Sequence, residues 1–332
     1  MSEQFYYGHG KLLLTGEYFV LDGAKSIALP TKLGQKMHVR YRPSNRPILF
    51  WKSFDEQEQC WLETKLELWH FKCIADNAND SRVIKLQDIL RQARKQNIHF
   101  LRDDCDVYVE TSLEFPLNWG LGSSSSLVYN IAQWAFVSPF ELQTKTFNGS
   151  GYDIACAQSM GPISYQLKRG KPNWETIDLN PHFKNNIYFV YQGNKQNSHD
   201  AIIKYREMDI PNKELIISKL NKTSESMMEC IDLNEFEQLI FEHENIMSNA
   251  LGKPRIIDEY FSDYWGAIKS LGAWGGDFML ATSSKSMAET RDYFEKRGYS
   301  TILSFDELIL QNFEKYGAVN SNEANEQKNV QL

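Results

Sequence analysis

The sequence has no long apolar run and no recognisable leader. None of its apolar stretches approaches the length of about eighteen residues that a membrane-spanning helix needs. The opening residues, Met1-Ser-Glu-Gln, lack the basic start and the apolar core of a signal peptide. We therefore expect a cytoplasmic protein that does not use a membrane as a partner.

Cysteine is scarce and follows no pattern. The chain carries five cysteines, and no two of them form a C-x-x-C pair. An odd number of widely spaced cysteines is typical of reduced thiols in a cytosolic protein. The count argues against both a disulfide framework and a zinc site.

Basic clusters are also missing. The formal net charge is −7, and no run of Lys and Arg is longer than two residues. Proteins that bind nucleic acid usually carry a basic patch or stripe, so nucleic acid is excluded as a partner. We expect a small-molecule substrate and leave a homodimer open. The 332 residues, of which 42% are hydrophobic, are enough for two domains that share a cleft.

The chain does have a loop rich in glycine and serine before a helix. Residues 116–126 read Pro-Leu-Asn-Trp-Gly-Leu-Gly-Ser-Ser-Ser-Ser, and the apolar residues that follow recur with helical spacing. Glycines let a backbone approach a ligand, and a helix N-terminus favours an anion. The loop alone leaves a serine-rich helix cap open as the alternative. The predicted phosphate-binding residues are Gly120, Leu121, Gly122, Ser123, Ser124 and Ser125.

Four segments, in the right order, resemble the motifs of the GHMP kinases, the superfamily of galactose, homoserine, mevalonate and phosphomevalonate kinases. The loop resembles the ATP loop of that superfamily. Residues 10–23 resemble its opening motif, residues 149–155 the segment with the catalytic aspartate, and residues 271–278 a glycine-rich loop near the C-terminus. The string Gly-Tyr-Asp-Ile-Ala also matches a bacterial subgroup named after it. The resemblance covers most of the chain.

The resemblance implies an α+β fold of two domains with ATP bound between them. We expect an N-terminal α/β domain at residues 1–165, similar to domain 2 of ribosomal protein S5, and a ferredoxin-like domain at residues 166–316. Composition predicts a disordered tail at residues 317–332, a domain junction at the turn-rich segment 168–173 and a hairpin turn at Asp22-Gly23. Periodicity predicts strands at residues 106–111, 187–191 and 278–281. It predicts helices at residues 85–97 and 285–297.

Phosphoryl transfer to an alcohol needs a carboxylate that accepts or orients the hydroxyl proton. Asp153 stands where the superfamily has its catalytic aspartate, although composition alone would make it a helix cap. Lys11 matches the lysine that approaches the aspartate and the transferring phosphate in the superfamily. The resemblance thus implies Asp153 and Lys11 as catalytic residues and ATP as the phosphoryl donor.

The resemblance also implies a Mg²⁺ site near the loop. Ser124 matches the serine that binds the metal in the superfamily. Glu141 is the only acidic residue between Ser126 and Asp153, which makes it the candidate for a second ligand. Mg²⁺ takes oxygen ligands of these kinds alongside nucleotide phosphates.

Further motif residues are expected to support the site. Glu17 matches a family glutamate that holds the site together or reaches the substrate, and Tyr18 follows it. The sequence departs from the motifs at His9, where proline is usual, and at Trp274, where glycine is usual. A tryptophan is costly at a positive φ, so this turn is packed differently or its ring forms part of the pocket wall. The glycine-rich loop contributes Gly275, Gly276 and Asp277.

The motifs favour mevalonate or phosphomevalonate as the acceptor. A phosphorylated acceptor would need additional cations in the cleft, and their candidate sources are Lys25, Lys32, Lys145 and Lys195. Three alternatives remain: a galactose-type sugar kinase, an ATP-dependent decarboxylase of the same superfamily, and a non-catalytic member that senses a ligand.

Overall fold

The computed structural model describes residues 3–193, 198–272, 274 and 276–311. The predicted tail at 317–332 therefore lies outside the described residues. Within them, no helix combines the length and the apolar character needed to cross a bilayer.

The first sheet is organised around a long strand, β2 (Ser26–Pro43), which takes three partners. It pairs antiparallel with β1 (Glu3–Leu13), with β5 (Cys105–Leu113) over its second half and with β6 (Ile163–Lys168) over its first residues. The sheet continues from β5 to β3 (Ile48–Phe54) and β4 (Cys60–Glu67), and from β6 to β7 (Lys171–Thr176). Burial alternates along β5, as expected for a strand with one covered face.

Four helices accompany this sheet, and local capping signals explain where two of them begin. Asp80 caps the first helix, and Ser138 with the following proline starts the third. Their apolar faces form one core with Val39, Trp51 and Val109 of the sheet. The helices are α1 (Ser81–Gln96), α2 (Ser123–Ala135), α3 (Pro139–Thr146) and α4 (Tyr152–Gln158).

The second sheet has four antiparallel strands in the order β11-β8-β10-β9. These are β8 (Ile187–Tyr191), β9 (Ile268–Ser270), β10 (Phe278–Thr282) and β11 (Ile302–Ser304). Six helices belong to this part of the described chain: α5 (Ser198–Glu207), α6 (Lys213–Glu229), α7 (Leu233–Leu251), α8 (Ile256–Tyr260), α9 (Met287–Glu295) and α10 (Phe305–Leu308).

The two sheets share a core, which brings the sequence motifs together. Leu12 of β1 and Leu29 of β2 belong to the same buried cluster as Phe189 of β8 and Phe278 of β10. Burying large apolar side chains of this kind contributes about 1.5–3 kcal/mol each. The contact places the ends of β1 and β10 on either side of one cleft.

Two turns differ from the sequence predictions. Segment 168–173 contains the hairpin turn between β6 and β7, so the first sheet continues to Thr176, beyond the predicted boundary at residue 165. Turn-forming residues serve a hairpin as well as a linker, and composition does not separate the two. Asp22-Gly23 is not a two-residue hairpin either, because a 3₁₀ helix (Phe19–Asp22) precedes Gly23.

Candidate active site

The glycine- and serine-rich loop ends at a helix N-terminus, as predicted. Gly122 has φ 87° and ψ 40° and caps α2, whose first residue is Ser123. The first N–H groups of a helix have no partner within it, and together with the helix dipole they attract an anion. The end of the loop therefore has the geometry that suits an anion.

The four serines of the loop divide into two pairs. Ser125 and Ser126 are buried, and both hydroxyls donate hydrogen bonds to the Gly122 carbonyl oxygen, at 2.8 and 3.2 Å. Ser123 is half-buried and Ser124 is exposed, and neither hydroxyl has a hydrogen bond among the described residues. Only Ser123 and Ser124 thus offer a hydroxyl to a ligand, and Ser125 can contribute its backbone.

Gly120 is required by the close approach of Asp277. Its φ is 67°, and a Cβ at this position would lie only 1.9 Å from the Asp277 Oδ2 atom. A side chain here would have to displace the Asp277 carboxylate and adopt a strained φ, so glycine suits the position where this loop meets the third motif. Gln192 fixes the third motif in turn, with its N–H donating to the Asp277 carbonyl at 2.9 Å and its Nε2 to the Gly276 carbonyl at 2.6 Å.

Lys11 lies directly beneath the loop. It follows an irregularity in the β1–β2 pairing, and its backbone N–H donates to the Leu121 carbonyl at 2.9 Å. Its Nζ donates to the Gly120 carbonyl at 2.7 Å and lies 5.9 Å from the centre of the Tyr152 ring. The ammonium group therefore stands between the loop and the residue that precedes Asp153.

Asp153 lies in the first turn of α4, a helix that packs against both β1 and α2. Its Oδ1 atom accepts hydrogen bonds from the Gln143 Nε2 at 2.5 Å and from the Ile154 N–H at 3.0 Å. No described residue bonds to Oδ2. The helix cap is Gly151, with φ 93°, so Asp153 is not the capping residue that composition alone would suggest.

Lys11 and Asp153 form no ion pair among the described residues, which differs from the approach that the resemblance implied. Each already has a partner, since Lys11 bonds to the Gly120 carbonyl and Asp153 to Gln143. Both charges nevertheless act on Cys156, which lies on α4. Burial raises the pKa of that thiol well above its usual value, the charge of Asp153 raises it further, and the charge of Lys11 lowers it.

A cavity of about 70 Å³ opens beside Lys11. Its wall includes Tyr18, Tyr152 and Asp277, and aliphatic side chains provide much of the remainder: Leu13, Val20, Leu21 and Ile202. Tyr18 has the unusual φ of 58° and stacks on Tyr205 of α5, with ring centres 5.2 Å apart. The cavity has an apolar floor with a cation at one side.

Glu17 does not reach this cavity, because it belongs to a buried ion cluster formed by Glu17, His243, Glu244 and Lys269. All four side chains are at most 1% exposed. Lys269 Nζ donates to Glu17 Oε1 and lies 3.5 Å from Glu244 Oε1. Its immediate neighbour Tyr18 lines the cavity, and a role for Glu17 in holding the site together stays a prediction.

Burial governs the protonation of this cluster. It raises the pKa of Glu17, although the charge of Lys269 opposes that shift, and it raises the pKa of Glu244 to about 7. Burial also lowers the pKa of His243 well below its usual value. Because His243 is neutral, its 3.3 Å contact with Glu17 Oε2 is not an ion pair. His243 Nε2 instead accepts the Gly16 N–H at 3.1 Å.

Comparisons with known proteins agree with this geometry at the level of the fold. No protein-family model matches the sequence, and no curated protein matches it. A mevalonate kinase structure from Methanococcus jannaschii has a TM-score of 0.66 at 15% identity and covers 94% of this chain and 99% of its own. A Streptococcus pneumoniae phosphomevalonate kinase in complex with phosphomevalonate and AMPPNP has a TM-score of 0.62 at 15% identity, covering 91% and 99%.

A Lactococcus lactis galactokinase complexed with galactose is also similar, with a TM-score of 0.65 at 14% identity and 94% coverage of both chains. The chain has the GHMP kinase fold. The predicted α+β fold class is thereby confirmed, and the GHMP resemblance seen in the sequence is matched by the structure. Identities this low do not distinguish among the acceptors of these three kinases.

Within the GHMP fold, Glu141 lies away from Asp153. Its carboxylate pairs with Lys145 at 2.5 Å on the exposed side of α3. Residues two positions apart in a helix point in nearly opposite directions, and it is Gln143 that faces Asp153. No three His, Cys, Asp or Glu side chains of the described chain form a metal-binding group. A role for Glu141 as a second metal ligand stays a prediction.

Three of the four candidate lysines have partners elsewhere. Lys25 pairs with Glu225, Lys32 donates to the Asp306 carbonyl, and Lys145 pairs with Glu141. Lys195 lies outside the described residues, as does Gly275 of the third motif.

The two departures from the motifs are both accommodated by packing. Trp274 has φ 48°, and its side chain is buried with Phe19, Leu220 and Met247. Trp274 also lines a cavity of about 380 Å³ with Gln192 and Ser270, so it is packed in the core and belongs to a cavity wall, although not to the wall of the cavity beside Lys11. His9 is half-buried, with Nδ1 3.0 Å from the Thr31 carbonyl oxygen and its ring edge-on to Tyr7.

Sequence reasoning did not find Gln143, His243, Glu244 or Lys269. Gln143 belongs to a short helix with no motif of its own. The only available signal for the buried cluster was that His243 and Glu244 lie on the buried side of an otherwise amphipathic α7.

Proposed function

We propose that this protein is an ATP- and Mg²⁺-dependent small-molecule kinase that transfers the γ-phosphoryl group to an alcohol or phosphate acceptor, with mevalonate or phosphomevalonate as the acceptor. One observation carries the proposal. The ammonium group of Lys11 bonds to the loop that ends at the N-terminus of α2 and lies 5.9 Å from the centre of the ring of Tyr152, the residue before Asp153, and both Lys11 and Tyr152 line a small cavity.

Each group has a task in phosphoryl transfer. The backbone N–H groups of the loop bind nucleotide phosphates, and Lys11 neutralises charge on the transferring group. The Oδ2 atom of Asp153 accepts or orients the proton of the acceptor hydroxyl. The acceptor occupies the cavity bounded by Tyr18 and Tyr152.

The residues at the loop fit a magnesium ion. The Ser124 hydroxyl is exposed and has no hydrogen bond in the described structure, and it is an oxygen donor of the kind that Mg²⁺ prefers. Ser124 would hold the ion together with nucleotide phosphates. When bound, the ion supplies positive charge that neutralises the phosphates.

The composition of the cavity favours the mevalonate type over the sugar type. Aliphatic side chains such as Leu13, Val20 and Ile202 suit a methylated carbon chain. A sugar would place several hydroxyl groups against this apolar floor, where a polar group without a hydrogen-bond partner is costly.

A direct screen tests the proposal. Purified protein with Mg-ATP is assayed for ADP release with mevalonate, phosphomevalonate, galactose and homoserine. We expect turnover with mevalonate or phosphomevalonate, and none in the Asp153→Ala variant, which should still bind ATP. Release of CO₂ with an alkene would indicate the decarboxylase instead. A wild-type rate in Asp153→Ala would refute the mechanism, and ligand binding without turnover would favour the non-catalytic alternative.

A further inference from the structure

Asp153 is held by a side chain that no motif contains. Gln143 lies in the middle of α3, is 3% exposed and donates from Nε2 to Asp153 Oδ1 at 2.5 Å. A hydrogen bond to a carboxylate is charge-assisted, so it is stronger than a bond between neutral groups, and it also restricts the orientation of the carboxylate. The carboxylate therefore has one occupied oxygen and one oxygen without a partner in the described structure.

The amide of Gln143 is itself fixed by the turn before α4. A Cβ placed on Gly149 would lie 3.4 Å from Nε2, and one placed on Gly151 would lie 3.5 Å from Oε1, so both ends of the amide pack against this turn. The backbone carbonyl of Gln143 accepts the Phe147 N–H at 2.7 Å and the Asn148 N–H at 3.2 Å. These contacts hold the backbone of Gln143 to the end of α3 and leave its buried amide beside Gly149 and Gly151, next to Asp153.

From these contacts we infer that Gln143 is the positioning residue for the catalytic carboxylate. Its amide and the Ile154 N–H hold Oδ1, and this leaves Oδ2 as the atom that receives the acceptor proton. The inference rests on the proposed function, because it needs Asp153 to act in phosphoryl transfer. It adds a residue from α3 whose role is to aim that carboxylate.

The charged and titratable neighbours of Asp153 do not provide the same restraint. Tyr152 and Cys156 on α4 and Tyr165 on β6 stay neutral, because burial raises the pKa of each and the charge of Asp153 raises it further. Lys11 on β1 donates to the Gly120 carbonyl. On α3, Glu141 and Lys145 pair with each other on the exposed side.

Two variants at position 143 separate positioning from packing. Gln143→Met keeps the length of the side chain and removes the donor, and Gln143→Glu places a second carboxylate against Oδ1. The matched control is Gln87→Met on α1, where another buried amide donates to the Phe71 carbonyl at 2.5 Å. Each Met variant removes one hydrogen bond to an acceptor that keeps a second donor, the Ile154 N–H at Asp153 and Arg91 at Phe71, so the two variants should lose similar amounts of stability.

We expect Gln143→Met to lower kcat by tenfold to a hundredfold with little change in KM for ATP. A wrongly oriented Asp153 carboxylate would stabilise the transition state less, without affecting the binding of ATP. Gln87→Met should keep its kcat. In Gln143→Glu the added carboxylate raises the pKa of the pair, so the acid limb of kcat/KM should move to higher pH by about one unit or more.

The inference fails if Gln143→Met retains the kcat of Gln87→Met, or if the acid limb of Gln143→Glu coincides with that of the wild type. If Gln143→Met does not fold, the pH profile of Gln143→Glu decides alone. The proposed function has a separate test, because an active Asp153→Ala variant would refute it whatever Gln143 does.

Discussion

The loop at residues 120–124 and the buried ion cluster are both polar, but they use their polar groups in opposite ways. In the loop, the hydroxyls of Ser123 and Ser124 have no hydrogen bond among the described residues, and α2 begins with the N–H groups that a helix leaves free. In the cluster, Glu17 and Lys269 pair with each other and neither side chain reaches solvent. The polar groups of the loop are open to other molecules, whereas the cluster connects the segment between β1 and β2 to α7 and β9.

This contrast predicts that changes in the cluster act on stability and changes in the loop act on catalysis. The largest effect is expected for Lys269→Met, which leaves Glu17 and Glu244 without their cation. Breaking a buried ion pair by removing one partner costs about 3–5 kcal/mol. Urea unfolding should show this loss. Lys296→Met, at an exposed pair with Asp292, is the control and should change stability by less than about 1 kcal/mol. Equal effects of the two variants would contradict the description of the cluster.

The cluster should also make stability depend on pH. The pKa of Glu244 is raised to about 7 in the folded state, so the protonated form is favoured there. The stability that Glu244 contributes is complete below its unfolded pKa and is lost as pH rises through about 7, by up to about 3 kcal/mol. His243 has the opposite sign, because its pKa is lowered and its contribution is lost as the pH falls.

The difference between wild type and Glu244→Gln isolates the Glu244 contribution. Relative to the variant, the free energy of unfolding of the wild type should decline between pH 5 and pH 8. Urea titrations at several pH values measure this difference, and a flat difference would show that Glu244 is not protonated on folding.

In the loop, Gly120→Ala should lower kcat/KM by at least about a hundredfold, because a Cβ would collide with Asp277 and shift the phosphate site. Gly170→Ala is the matched control. Gly170 also has a positive φ, at 74°, but nothing lies within 4 Å of its Cβ position. The control should lose some stability and keep its kcat. Similar kinetics for both variants would mean that the Gly120–Asp277 contact does not shape the site.

The smallest effect distinguishes two adjacent serines. Ser124→Ala should lower kcat about tenfold and weaken the dependence on Mg²⁺, because it removes the exposed hydroxyl proposed to hold the ion. Ser125→Ala should instead cost about 1 kcal/mol of stability, since that hydroxyl donates to Gly122 at 2.8 Å. The prediction fails if Ser125→Ala is the variant that changes Mg²⁺ dependence.

The sequence predicted the parts of the site that depend on local chain geometry. Gly122 and the serines led to a helix N-terminus, and the string around Asp153 led to the turn before α4. The cluster could not be predicted in this way, because Glu17 is more than 200 residues from His243 and Lys269 and meets them only when α7 and β9 pack. Gln143 is close to Asp153 in sequence, but nothing in the sequence indicates how α3 packs against α4. The hydrogen bond from Lys11 to Gly120 was missed for the same reason, since it depends on how β1 meets the loop.

The proposed function requires the turn at the start of α2 to bind nucleotide phosphates and to direct the terminal one towards Asp153. A crystal structure with AMPPNP and Mg²⁺ is the decisive experiment. We expect phosphate oxygens within hydrogen-bond distance of the N–H groups of residues 122–124, with Asp153 Oδ2 facing the terminal phosphate and Oδ1 still bonded to Gln143. Phosphates bound elsewhere, or an Asp153 carboxylate turned away from the terminal phosphate, would refute the proposal.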